Sequence, residues 1–235
     1  MTPRRRRSAA FLIVATLVAL LLVTGLSALG LWQVQRMYWK HALVEKIESR
    51  VGATPVRAPA TASESDAYRR VFAQGRFLND RAVLVQASTA RGAGYWVMTP
   101  LATDGGFTLL VNRGFVPAER KSGYDRPEGM VRVTGLLRVS EPGGGFLRAN
   151  DPGSGRWYSR DVAAIARAQR LERPVAPYFV DAQVGTAGAY PVGGLTVLTF
   201  PDNHLGYAIT WFVLAAMVAA AYIRLMIEER KARRA

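Results

Sequence analysis

Two long uncharged runs bracket the chain. No charged residue occurs between Ser8 and Gln35, and 9–29, AAFLIVATLVALLLVTGLSAL, is apolar almost throughout. The second run, 205–223, LGYAITWFVLAAMVAAAYI, stays uncharged until Arg224. A helix of about 20 apolar residues crosses a hydrocarbon core of about 30 Å, so each run is long enough to span. The basic residues before the first run and its small-residue end, SALG, also fit a cleaved signal peptide. A signal's apolar region is typically about 7–15 residues, and this run is longer, so an uncleaved anchor is expected.

Between the runs the periodicity changes twice. Leu43, Ile47 and Val51 recur every four residues within 32–51, the spacing of one helical face, and predict a stem continuing out of the first span. A linker rich in Pro, Ala, Thr and Ser follows at 52–65. Strand-like runs then come at 68–77, 82–88, 94–102, 107–117, 131–139, 177–182 and 194–200, several of them separated by turn signals such as LND, TDGG and EPGGG. One helix is expected at 160–171, with Asp161 as its cap and Pro174 beyond its end. Short connections between the early strands favour antiparallel pairing, because parallel pairs need long crossovers.

The expected fold is a membrane protein with two transmembrane helices enclosing an α+β extracytoplasmic domain dominated by an antiparallel sheet, curled toward a barrel. Its segments are a basic N-terminus (1–8), a first span (9–31), the stem (32–51), the α+β domain (52–203), a second span (204–223) and a basic tail (224–235).

Charge sets the orientation. The net charge is +14 although half of the residues are hydrophobic. Arg4 to Arg7 precede the first span, and Arg224, Arg230, Lys231, Arg233 and Arg234 follow the second. By the positive-inside rule both ends face the cytoplasm and the domain lies outside. The remaining basic residues are scattered, with no block that would serve as a nucleic-acid arm; nucleic acid is not an expected partner, and the lipid bilayer is.

The residue inventory excludes much chemistry. With no cysteine, disulfides, iron–sulfur clusters, Cys-type zinc sites and Cys-linked haem are ruled out. The only histidines, His41 and His204, lie in the membrane-proximal segments, so the domain has no Ser–His–Asp triad or histidine-based zinc site. Met98 and Met130 stand alone, a poor ligand set for copper. The glycines at 143–145 lack the setting of a phosphate loop and read as a turn. Asp151, Asp161 and Asp181 could in principle form a carboxylate pair, but loop and cap roles are commoner. An enzyme is not expected.

Six stretches occur in order relative to the two spans: GLWQVQRMYWK (30–40), GYWVMTPL (94–101), LLVNRGFVP (109–117), VTGLLR (133–138), RWYSRD (156–161) and PDNHLGYAITWF (201–212). In these the chain, from about Gly30 to Ile223, resembles the Surfeit locus protein 1 family, the assembly factors of cytochrome c oxidase, in its bacterial form. The resemblance implies a multi-pass protein of the bacterial inner membrane, both termini cytoplasmic and the main domain periplasmic. It would help haem a reach the catalytic subunit of the oxidase, with the machinery of haem a synthesis as a further partner. The alternative is a scaffold that stabilises the nascent subunit without touching haem.

The family's NHxxYAxTWF pattern puts its proposed haem ligand at His204, with Asn203, Tyr207, Thr210, Trp211 and Phe212 also matching. The family's RG pair corresponds to Arg113 and Gly114, and its WYxxD to Trp157, Tyr158 and Asp161; these read as fold or partner-contact residues. Phe115 stands where a Trp is frequent.

On physical grounds alone an interfacial histidine is an anchor more often than a ligand, yet neutral imidazole is a common axial ligand of haem iron. Asp202 or Asn203 can cap the second span and leave His204 unneeded there. Trp32, Arg36 and Trp39 are spaced i, i+4, i+7 and share a helix face near the same depth. They read as an aromatic and basic belt, or as a haem wall in which Arg36 or Lys40 pairs with the propionates. His41, about 180° from Trp32 around the helix, is expected to be solvated or packed.

Overall fold

A computed structural model describes residues 7–145, 147–186, 188–198 and 200–234; Arg4 to Arg6, part of the basic N-terminus, lie outside them. The chain divides into two units, Met1–Glu45 with Thr199–Ala235, and Lys46–Leu198.

The first unit is built on the long helices. Helix α1 runs Ala9–Gly52 without a proline, and stops where Thr54, restricted by Pro55, is biased away from helical backbone. The chain's last helix, His204–Arg234, starts three residues after Pro201. Both are long and apolar enough to cross a membrane. The two helices pack on each other: Thr16 Oγ1 lies 2.8 Å from Tyr222 Oη. Farther along, a Cβ on Gly30 would come within 2.7 Å of the Phe212 ring, so any larger residue there would make the ring shift.

The second unit is a small barrel. Its elements are β1 (Val56–Arg57), β2 (Arg70–Phe77), β3 (Val83–Thr89), β4 (Gly92–Thr103), β5 (Thr108–Pro117), β6 (Val131–Val139), a short hairpin of β7 (Gly144–Gly145) and β8 (Arg148–Ala149), helix α2 (Val162–Ala168) and β9 (Val175–Ala182). The last helix of the chain is α3. The main sheet has the order β1-β2-β6-β9-β5-β4-β3, and β2 also pairs with β4, closing the ring. Closure turns on Gly75, which is in register with Val131 of β6 on one side and Thr103 of β4 on the other. A Cβ there would lie 2.3 Å from the Ala102 carbonyl oxygen.

Both faces of the central strands are buried, so neighbouring residues feed two cores. Leu109, Val111, Tyr178 and Val180 point to one, with Val71, Leu101 and Leu137. Leu110 and Phe179 point to the other, where Val83, Val85, Met98 and Trp157 meet Val162 and Ile165 of α2.

Three expectations need correction. The sheet is a closed mixed barrel, not simply antiparallel: β5–β9 and β1–β2 are parallel. The β5–β9 pair is possible because β6, the hairpin and α2 provide a long crossover. The expected strand at 194–200 is absent from 194–198, and Thr199 lies outside the described residues. Side chains and turns hold this segment instead of a ladder: Thr196 Oγ1 donates to Asp181 Oδ2 at 2.9 Å, and Gly194 has φ +71°. Helix α2 spans only 162–168 of the expected 160–171, ending before Arg170, whose φ of +48° is left-handed. Within the Pro/Ala-rich linker Ala58 is buried, and the Pro59 carbonyl accepts a 2.6 Å bond from Tyr178 Oη.

Candidate functional site

His204 opens α3, and three hydrogen-bonding groups of α1 converge on that helix start. The His204 backbone N–H donates to Asp202 Oδ1 at 2.9 Å, which caps the helix. His204 Nδ1 lies 2.7 Å from Gln33 Oε1. Lys40 Nζ donates to the Pro201 carbonyl, and His41 Nε2 lies 3.2 Å from Asp202 Oδ2. The donated N–H of His204, followed by the nearby charge of Lys40, holds the Asp202 carboxyl below its ordinary value. Among the described residues nothing hydrogen-bonds to His204 Nε2.

On α1, Gly30 and Gln33 face α3, and Lys40, on the same stripe, reaches Pro201 just before it. Trp32, Arg36 and Trp39 lie round the helix from that stripe. Arg36 stacks on Trp39, its guanidinium carbon 4.4 Å from the ring centroid, and Trp32 and Trp39 are 51% and 56% exposed. Neither Trp32 nor Arg36 hydrogen-bonds to His204 among the described residues. His41 is largely exposed but engaged with Asp202. Tyr207 is exposed on the first turns of α3, and Trp211 follows one turn later.

An imidazole with Nδ1 held and Nε2 without a hydrogen-bond partner among the described residues has the donor chemistry of a metal ligand, while the exposed Trp32 and Trp39 and Arg36, which has no ion pair among the described residues, lie elsewhere around α1. Sequence reading named His204 but missed Gln33. Its signal was an amide three residues after Gly30, one of two with Gln35, and it gains meaning only once α3 is seen opposite.

In the barrel, the motif residues serve architecture. Arg113 is nearly enclosed, its guanidinium carbon 5.0 Å from the Phe77 ring centroid and NH2 3.8 Å from Asp125. Burial, partly offset by Asp125, lowers its pKa, and its NH1 has no acceptor among the described residues. Gly114 has φ +129°, and a Cβ would sit 2.2 Å from the Val192 carbonyl oxygen; glycine is required on both counts. This close approach lets Phe115 exchange backbone bonds with Val192 at 2.9 Å each way. Trp157 is buried in the α2-side core, and its carbonyl accepts from the Gln86 N–H at 2.8 Å. Tyr158 N donates to Asn150 Oδ1 at 2.8 Å. Asp161 caps α2, accepting from Ala164 N at 2.9 Å.

The three aspartates weighed as a carboxylate pair hold separate partners. Asp151 pairs with Arg156 at 2.7 Å, Asp161 caps α2, and Asp181 anchors a buried cluster that sequence reading missed. Asp181 accepts from Asn112 Nδ2 (2.8 Å), Arg138 NH1 (3.0 Å), Arg160 NH1 (3.3 Å) and Thr196 Oγ1 (2.9 Å). Arg160 also donates to Glu141 at 3.0 Å through Nε. A cavity of about 180 Å³ adjoins the cluster, with Trp96 and Gly114 in its wall.

In chain order, two helices long and apolar enough to cross a membrane flank a closed mixed barrel, and a histidine opens the second of them. The sequence profile of the SURF1 family matches residues 20–216, and the chain belongs to that family. It is 36% identical to human Surfeit locus protein 1, an alignment covering 88% of this chain and 75% of that one. Similarity extends to a SURF1-like protein of Monosiga brevicollis, 32% identical over 83% of this chain and 81% of that one. Surfeit locus protein 1 of Takifugu rubripes is 30% identical, with 86% and 93% covered.

Proposed function

We propose that this protein assists assembly of cytochrome c oxidase by taking haem a as cargo at His204 and passing it to the catalytic subunit. Membership of the SURF1 family supports the assembly role. The observation that carries the haem role is the imidazole of His204, anchored through Nδ1 and open at Nε2. His204 would hold the iron, Trp32 would face the macrocycle, and Arg36 would meet its propionates. Haem brings the iron that the imidazole ligates; the chain's part is to orient that imidazole and offer a cation at the rim. The protein would sit in the bacterial inner membrane with both ends cytoplasmic and the barrel outside, close to the source of haem a.

The test is purification from cells that make haem a, followed by absorption spectra of wild type and His204→Ala. Haem in the wild type and its loss in the variant is the expected result. A haem-free wild type would favour the scaffold role, and equal haem in both proteins would place the ligand elsewhere. In the same preparation Arg36→Gln is expected to lower haem content; unchanged content and unchanged oxidase assembly would remove Arg36 from the site.

A further inference from the structure

We infer that Gln33 is the positioning residue for His204: its side-chain carbonyl holds the proton on Nδ1 and leaves the Nε2 lone pair open for a metal. This rests on the haem reading above, although its first consequence can be measured without haem.

The contact is 2.7 Å, at the short end for an N–H···O hydrogen bond. Both side chains are half-buried, so water competes less for the imidazole. Of the neighbouring polar groups, Asp202 Oδ1 accepts the His204 backbone N–H, Lys40 donates to the Pro201 carbonyl, and His41 Nε2 lies 3.2 Å from Asp202 Oδ2, which has no hydrogen-bond partner among the described residues; of the described side chains only Gln33 hydrogen-bonds to the ring. Gln33 is therefore the group that sets the ring's tautomer. A neutral imidazole carries one proton, and an acceptor facing Nδ1 places it there. A histidine in water prefers the opposite arrangement, with the proton on Nε2, which would block ligation at that nitrogen. With the Gln33 amide turned so that its NH2 faced Nδ1, that blocked form would result, so the two orientations have opposite consequences. Metal-bound histidines typically donate their second N–H to such an acceptor, which fixes the ring and raises its basicity.

The competing account makes the pair an interhelical polar contact with no bearing on the ring's chemistry. Full-length protein in detergent, labelled with ¹⁵N-histidine and studied near pH 8, separates the two. His204 signals are identified by their loss in His204→Ala. The expected wild-type spectrum shows His204 protonated at Nδ1 and bare at Nε2, with Gln33→Leu shifting the proton toward Nε2. In titrations with haem a, Gln33→Leu is expected to bind about 10–100-fold more weakly. Gln33→Glu, which keeps an acceptor, is expected to restore binding and to strengthen the iron–imidazole stretch seen by resonance Raman.

A wild-type His204 protonated at Nε2 would overturn the inference. So would a Gln33→Leu protein with an unchanged tautomer and unchanged haem affinity while His204→Ala loses haem. Haem retained by His204→Ala would instead remove the ligand reading and Gln33's role toward iron together. The tautomer spectra of the haem-free protein tell these failures apart.

Discussion

Asp181 shows how much can depend on one carboxylate. It accepts from two arginines, an asparagine and a threonine in a site that water hardly reaches. Removing it leaves Arg138 without an ion pair while Arg160 keeps Glu141; breaking a buried ion pair by deleting one partner costs about 3–5 kcal/mol. Asp181→Ala is therefore expected to lower the urea midpoint sharply, and Asp181→Asn, which keeps two acceptor sites, to lower it less. Gly114 is the other intolerant position. Gly114→Ala combines a positive φ with contact on the Val192 carbonyl, and should cost about 2 kcal/mol or more in the same measurement.

Sequence reading reached these residues unevenly. Gly114 stood out within VNRGFVP because its type hinted at an unusual backbone. Asp181, Arg138 and Arg160 lay inside quoted stretches, but nothing local says that side chains from separate strands will meet.

At the scale of elements, local signals were readable and their limits were not. Asp161 announced the start of α2, and Asp161→Ala should cost about 1 kcal/mol, seen as a lower melting temperature without loss of the barrel's circular dichroism signature. The early end of α2 was hidden because it depends on a left-handed Arg170. The strand expected at 194–200 failed over 194–198 for a different reason: Gly194 takes a left-handed φ and Thr196 bonds to Asp181, so this stretch follows a side-chain anchor and not a ladder.

The start of α3 has its own pH signature. The Asp202 carboxyl is held below its ordinary value, so its cap contributes fully above the unfolded pKa of about 3.9 and is lost as pH falls through the lowered folded value. Hydrogen-exchange protection of the His204 amide should be flat between about pH 5 and 8, and decline once the pH passes below about 4.

For the whole molecule, the division at residues 46 and 198 makes a strong claim. A fragment spanning 46–198 contains both hydrophobic cores and the Asp181 cluster. It is expected to fold alone with a cooperative urea transition and to bind no haem a, since His204, Gln33 and Arg36 lie outside it. Haem binding by the fragment would move the proposed site into the barrel. The two-span outline was the most legible feature, because a long uncharged run is a one-dimensional signal. Closure of the sheet was the least, because it depends on Gly75 meeting two strands at once.

The sheet order also carries a schedule. β9 lies between β6 and β5, so it is the last strand made and the one that completes the ring. Until residue 182 has emerged, β5 and β6 each keep an unpaired side, and early pairing cannot close the wall. Pairings this distant in sequence form slowly, because loop closure must precede the contacts that reward it. Only 183–203 then separates the completing strand from α3. In the topology proposed here, nearly all of the barrel must cross the membrane while still unfolded, and its folding coincides with entry of the second span. Variants that slow β9 should therefore appear first as protein lost during biogenesis, degraded before it folds, while the molecules that do mature are fully stable.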